Sequence, residues 1–298
     1  MTNNAQKKSR STKKSPIRNM PRMKNKTRKK VKNGMVYLIL ILLSAIFLIP
    51  FMWMLLTSVK SMQDVYSNQV LPTKLFWENY KNAVTQIPFL RMTFNTVVIT
   101  VLTVTGMVSS STLVAYSMSK VRWRGRDVLF PVIVATMMIP YQVTLIPLYM
   151  IWNKLGLIGT NVPLVLPAFF GGAYYIFLLR QFFRTIPDSL LEAAEIDGAG
   201  EFRKFWTIVL PLCKPAIASV CIFTFLATWS DFMGPMLYLT KEESYTLSLG
   251  LQAFMQQHYV EWGTLMAASA IFTIPVIILF FFAQKYFIEG ITVTGVKG

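Results

Sequence analysis

The sequence predicts an all-α polytopic membrane protein: six transmembrane helices with a structured cytoplasmic segment between the fourth and the fifth. Three observations predict it. Hydrophobic residues make up 54% of the chain and charged residues 14%, with a mean hydropathy of +0.47, a balance foreign to soluble domains. Six largely uncharged apolar runs follow one another along the chain. Lysine and arginine crowd the connections on one side of those runs, the asymmetry that sets orientation in a membrane.

The first 34 residues carry thirteen Lys and Arg and no acid. Most of the net charge of +17 therefore belongs to this tail. It is too polar to fold alone, so disorder is expected for residues 1–34. Its reading is a signal that keeps the N-terminus inside, with anionic lipid headgroups as natural company. Nucleic acid is a poor fit, because no aromatic residues interleave with the charges. The apolar run that follows is too long for a secretory signal and lacks a small-residue cleavage site.

Residues 35–59 form the first expected span, followed by a polar segment to Arg91. The second runs over 94–118, and its Ser109-Ser110-Ser111-Thr112 cluster suits the close approach of another helix. Lys120, Arg122, Arg124 and Arg126 precede a third span over 128–151. Pro140 and Pro147 interrupt it, so a span ending near Pro140 and a shorter outer helix are expected. The fourth covers 164–179, where Gly171-Gly172 marks a tight contact or a bend. The fifth covers 216–236 and the sixth 264–283. The positive-inside count places both termini in the cytoplasm of a multi-pass cell-membrane protein.

Between the fourth and fifth spans, residues 190–215 read LLEAAEIDGAGEFRKFWTIVLPLCKP. Ser189 and Glu192 have the spacing of a capping box, with Ser189 as N-cap. Gly198 is placed to end that helix in a left-handed conformation. Phe202, Phe205, Trp206 and Val209 then recur at helical spacing, with Glu201, Arg203 and Lys204 assigned to the polar side and Pro211 and Pro215 as stops. The whole resembles a docking handle.

Enzyme chemistry finds little to work with. His258 is the single histidine, the phosphate-binding loop pattern is absent, and Cys213 and Cys221 are placed as packing residues. No metal site is expected. Paired intramembrane carboxylates, the mark of a proton-driven secondary carrier, are also missing. Asp231 is the one acid close to a span interior, beside Trp229; a cavity wall and a solvated interfacial belt are both open readings. Tyr141 and Gln142, after the Pro140 break, are further candidates for a substrate pathway.

The pattern Glu192-Ala193-Ala194, Asp197-Gly198-Ala199, Phe205, Ile208, Leu210-Pro211-Leu212 and Pro215 resembles the EAA motif of permease subunits of bacterial ABC importers. From residue 35 onward the chain is similar to the six-span partner of maltose-type carbohydrate importers, through Glu78-Asn79-Tyr80, Ile139-Pro140, Tyr245-Thr246-Leu247 and Met266-Ala267-Ala268 in order. The lysine-rich tail departs from that pattern.

The resemblance implies the type I ABC importer permease fold, with the EAA segment as a coupling helix. That helix would sit in a cleft of an ATP-binding subunit. Glu192 would face a basic residue there and Gly198 would permit the close turn. The implied partners are a second permease in a heterodimer, two copies of the ATP-binding subunit and an extracellular sugar-binding protein. Residues 232–262 would reach towards that binding protein. The chain itself is expected to bind no cofactor, with ATP and Mg held by the partner ATPase. The implied substrate is a carbohydrate, preferably an oligosaccharide. A polyol or a sugar phosphate is the alternative, although spans two to six contain no Lys or Arg to hold a phosphate.

Overall fold

The computed structural model describes residues 23–67, 69–255 and 260–295. Among them there is no strand, only a lone bridge between Met255 and Val260. Residues 1–22, His258 and the last three residues lie outside the described part. The chain divides into two units, Met1–Met52 and Trp53–Gly298.

Helix α1 (Met23–Ser58) supplies the first unit's described length. Its apolar stretch, Asn33–Ser58, is 26 residues long, about 39 Å of helix. Met35 to Leu43 are exposed all round, as suits a helix whose solvent is lipid. The helix begins at Met23, twelve residues inside the tail expected to be disordered. Once the apolar stretch has nucleated a helix, adding Lys and Arg, both good helix formers, costs little.

In the second unit, α2 (Met62–Tyr66) and α3 (Glu78–Thr85) belong to the polar segment after the first span. Asn79 orders this segment by donating from Nδ2 to the Ser58 and Lys60 carbonyls at 2.9 and 2.8 Å. Thr73 caps the Asp64 carboxylate with its hydroxyl at 2.9 Å, which holds that carboxyl below its ordinary range.

Helix α4 (Phe89–Ser119), 31 residues long, is the axis of the unit. Then come α5 (Arg126–Thr136) and α6 (Tyr141–Lys154), which meet at 97° around Pro140. The third span is thus two short helices, neither long enough to cross alone. The fourth is also interrupted: α7 (Val162–Val165) and a 3-10 turn lead to Gly171 at φ +81°, before α8 (Ala173–Arg184) begins. Serines of α4 serve this break. Ser110 donates to the Ala168 carbonyl at 2.9 Å, and Ser111 accepts the Gly172 N–H at 3.3 Å. A polar backbone freed inside a bilayer needs such partners. Gly106 allows the approach, because a Cβ there would lie 2.6 Å from the Phe169 ring.

Next are α9 (Asp188–Ile196), α10 (Glu201–Lys204), a π turn over Phe205–Val209, and α11 (Leu210–Leu212). The chain turns by 80° into α12 (Lys214–Trp229). Pro211 does not stop the helical run, which ends at Leu212. The fifth span stops at Trp229 rather than 236; α13 (Met233–Tyr238) is a separate short helix. Finally α14 (Leu247–Gly250) precedes α15 (Trp262–Gly295), the sixth span.

Two cores hold α4. Near its end, Ala115 and Tyr116 pack with Leu179, Phe183, Leu191, Phe205, Val209 and Val220, so α4, α8, α9, the π turn and α12 share one apolar centre. Near its start, Phe89 and Met92 pack with Leu247, Phe254, Ala267 and Ala268. The EAA segment is built on the first of these cores and residues 245–254 on the second.

Candidate functional sites

Helix α9 does not start as a capping box. Its N-cap is Pro187, whose φ of −60° and ψ of 132° turn the chain so that Asp188 is already helical, and no side chain caps it. Ser189 therefore lies inside the helix. Glu192 does not reach back, and among the described residues it has no hydrogen-bond partner. The helix end is as expected. The Gly198 N–H donates to the Glu195 carbonyl and the Ala199 N–H to the Ala194 carbonyl, both at 2.9 Å. With Gly198 at φ +81°, this is a Schellman cap.

Leu191 anchors the helix in the core, while Glu192, Ala193 and Asp197 are exposed and Ala194 and Ala199 half-buried. Ile196 is 88% exposed, a large apolar side chain left for something outside this chain. The second half of the segment divides its aromatic face. Phe205 and Val209 are buried, whereas Phe202 and Trp206 are exposed and stack on one another at 6.3 Å.

Lys204 was assigned to the polar side but is only 5% exposed. Its ammonium pairs with Glu195 at 3.0 Å and with Glu201 at 2.5 Å. The hydrogen bond to Glu201 raises the lysine's pKa against the opposing effect of burial. Beside the segment opens a cleft of about 890 Å³, lined by Lys120, Arg126, Arg180, Arg184, Asp188, Glu192 and Glu195 among others. Both signs of charge face it, which suits a polar protein surface rather than a small ion.

The second site lies at the other end of α4. A pocket of about 180 Å³ is lined by Thr96, Ile99, Leu164, Thr228, Asp231 and Thr246 together with Ala227 and Pro235. Asp231 Oδ1 accepts the Gly234 N–H at 3.0 Å, so the acid supports the first turn of α13 as well as lining the cavity. Ser248 donates to the Asp231 carbonyl at 2.5 Å, and Thr96 accepts the Leu247 N–H at 2.8 Å. These bonds fix residues 245–250 as one wall.

Trp229 is not part of that pocket. Its ring is 3% exposed, stacked between Phe225 and Phe272, and its indole N–H donates to the Phe272 carbonyl at 3.1 Å. It is a fastener between α12 and α15. Tyr141 and Gln142 occupy the first turn of α6, both exposed, and neither lines that pocket. The sequence reading missed Thr96, Thr228 and Thr246. The signal was present for one of them: Thr93, Thr96, Thr100 and Thr103 recur along one face of α4. Among the described residues no three His, Cys, Asp or Glu side chains gather as metal ligands.

A polytopic helical bundle with a capped helix presented at one end and a polar pocket at the other is an arrangement that suits a membrane transport subunit. The chain belongs to the family described as binding-protein-dependent transport system inner membrane component, which residues 107–293 match. It is similar to the arabinooligosaccharides transport system permease protein AraQ of Bacillus subtilis (strain 168), 31% identical over 266 residues, covering 88% of this chain and 94% of that one. It is also similar to the maltose/maltodextrin transport system permease protein MalG of Salmonella typhimurium, 31% identical over 288 residues, covering 90% and 97%. A chain in the crystal structure of a bacterial ABC transporter involved in import of the acidic polysaccharide alginate matches with a TM-score of 0.75. It is 28% identical and covers 87% of this chain and 98% of that chain. The fold is thus that of a type I ABC importer permease, as the EAA resemblance implied.

Proposed function

We propose that this chain is one permease half of an ATP-driven importer of a neutral oligosaccharide. In this reading an extracellular sugar-binding protein delivers the substrate to the face bearing residues 232–262. Two ATP-binding subunits, holding ATP and Mg, drive inward transfer by alternating access, and a second permease completes the pathway. Both termini face the cytoplasm in this reading. The chain contributes no ATPase chemistry and binds no cofactor of its own.

One observation carries the reading. Helix α9 is closed by a Schellman cap and anchored through Leu191, yet it presents Glu192, Ala193, Ile196 and Asp197 outwards. A helix held this firmly with an unpartnered mixed face is suited to receive a subunit and pass on its movement. The relatives named above carry arabinooligosaccharides and maltodextrins, which supports an oligosaccharide here. A sugar phosphate is disfavoured because the pocket holds Asp231 and no Lys or Arg. A polyol remains the alternative that sugar screening separates.

The test is to purify the tagged complex in mild detergent and identify its components. A second permease and an ATPase are expected, and their absence would overturn the reading. In the reconstituted complex, Glu192→Lys should leave membrane insertion intact and abolish uptake. Wild-type uptake by this variant would remove Glu192 from the coupling role.

A further inference from the structure

The EAA segment is tied to a helix that it does not adjoin in sequence. Tyr116, 6% exposed near the end of α4, directs its hydroxyl to Glu201 Oε2 at 2.7 Å, across 85 residues of sequence. Its ring also packs against Phe205, with centroids 5.1 Å apart. Glu201 pairs in turn with Lys204, and Lys204 with Glu195 near the end of α9. One phenol and one buried ammonium therefore connect α4, α10 and α9 in series.

The arrangement is unequal in a useful way. An exposed ion pair would contribute little. Here the lysine side chain is 6% exposed, while Glu195 and Glu201 are 71% and 53% exposed. The buried ammonium has to keep both carboxylates, which fixes α9 relative to α10. Removing the lysine charge strands no buried charge, because both acids can turn to solvent. A second tie, Lys120 to Asp188 at 2.6 Å, joins the end of α4 to the first turn of α9, whereas the way into α12 passes a π turn and an 80° bend.

We infer that Tyr116, Glu201 and Lys204 are positioning residues that carry movement of α9 into α4. At its far end α4 bears Thr96, a wall of the Asp231 pocket, about 30 Å along the same helix. Displacing the Tyr116 end thus moves the pocket wall without passing through α8 or α12. This rests on the coupling reading proposed above.

The test uses the complete reconstituted transporter with Cys213→Ala and Cys221→Ala, and an environment-sensitive fluorophore on Leu90→Cys. Leu90 is 84% exposed at the far end of α4. The probe is ATP with Mg and vanadate, and the signal is the spectral change on trapping, compared per trapped complex. Tyr116→Phe and Lys204→Met should reduce that change roughly threefold or more while ATP hydrolysis continues, the scale expected when one member of a coupling network is lost. Lys204→Arg, which keeps the charge, should stay near the parent value. Full-sized changes in Tyr116→Phe and Lys204→Met would overturn the inference, even if both variants melted earlier. An unvariegated transporter that hydrolyses ATP with no change at Leu90 would also overturn it, with the coupling reading left standing. If no ATPase accompanies the chain, the coupling reading fails first and this inference with it.

Discussion

The Lys120 ammonium lies 2.6 Å from the Asp188 carboxylate and joins the end of α4 to the first residue of α9. The same nitrogen donates to the Ile186 carbonyl at 2.6 Å. The lysine side chain is 5% exposed and the aspartate 69%, so the two partners matter differently. Asp188→Asn leaves the buried Lys120 ammonium without its carboxylate and should cost about 3 kcal/mol. Lys120→Met also strips the Ile186 carbonyl of its donor and should cost about 1–3 kcal/mol. Lys120→Met removes the buried charge itself and leaves Asp188 free to turn to solvent, so thermal unfolding of the purified complex should rank Asp188→Asn below Lys120→Met.

A pH dependence follows from the same contacts. The Lys120 hydrogen bond, then its charge, lowers the Asp188 pKa from an ordinary 3.8. Burial pushes Glu201 upwards, but hydrogen bonds from Lys204 and Tyr116 outweigh it and leave its pKa below 4.5. Lowered carboxyl values stabilise the fold above the unfolded-state pKa, and this is lost as pH falls through the folded value. Lys204, raised above 10.5, acts oppositely and is lost only as pH rises past that value. Melting temperature measured between about pH 5.5 and 9 should therefore show no transition from these groups, with a fall setting in below about pH 4. Asp188→Asn should shrink that acid limb.

Gly198 separates two causes of one phenotype. Its φ of +81° disfavours any side chain, yet a Cβ there would meet nothing within 4 Å. Gly198→Ala should cost about 1 kcal/mol through backbone conformation alone. Gly198→Asn tolerates that conformation better and should retain more stability. If Asn restores stability but uptake stays lost, the partner subunit needs the bare backbone. If both recover together, the turn alone is what matters.

Gly106→Ala should be destabilising by about 1–3 kcal/mol, since the added methyl meets the Phe169 ring at 2.6 Å. Phe169→Leu in the same chain should restore part of the lost melting temperature. Additive losses in the double variant would mean that the contact is not the cause.

Trp229 and Asp231 are near neighbours in sequence with different tasks. Trp229→Phe keeps the stacking on Phe272 and loses one hydrogen bond, at a cost of about 0.5–1.5 kcal/mol, with unchanged apparent affinity in uptake assays. Asp231→Asn should alter apparent affinity for sugar with little change in ATP hydrolysis. Equal effects of the two on affinity would contradict this division.

These contrasts show where the sequence was legible. Long apolar runs needed only counting, which led to the long helices at Asn33–Ser58, Phe89–Ser119 and Trp262–Lys285, but counting did not show that the fifth run stops at Trp229, seven residues short of 236. Gly198 was readable because one backbone conformation calls for it. Ser189 failed as a cap because Pro187, two residues earlier, already sets the entry angle. Lys204 was misread because a charged residue in an amphipathic pattern shows its charge but not its partners. Trp229 was misread for the opposite reason: interfacial and interior tryptophans have the same letter, and only Phe225 and Phe272 tell them apart.

The π turn at Phe205–Val209, closed by the Leu210 N–H donating to the Phe205 carbonyl, puts one more residue into the chain than an α-helix would use there. One residue is about 100° of helical rotation. The hairpin and the fifth span are therefore out of phase by design. Deleting any single residue of that turn would produce a better α-helix and swing Glu192 and Ile196 to a different azimuth. The same holds for a chimaera joined across this stretch to a relative with an uninterrupted helix. Every residue could match its new neighbours locally, and the handle would still point the wrong way.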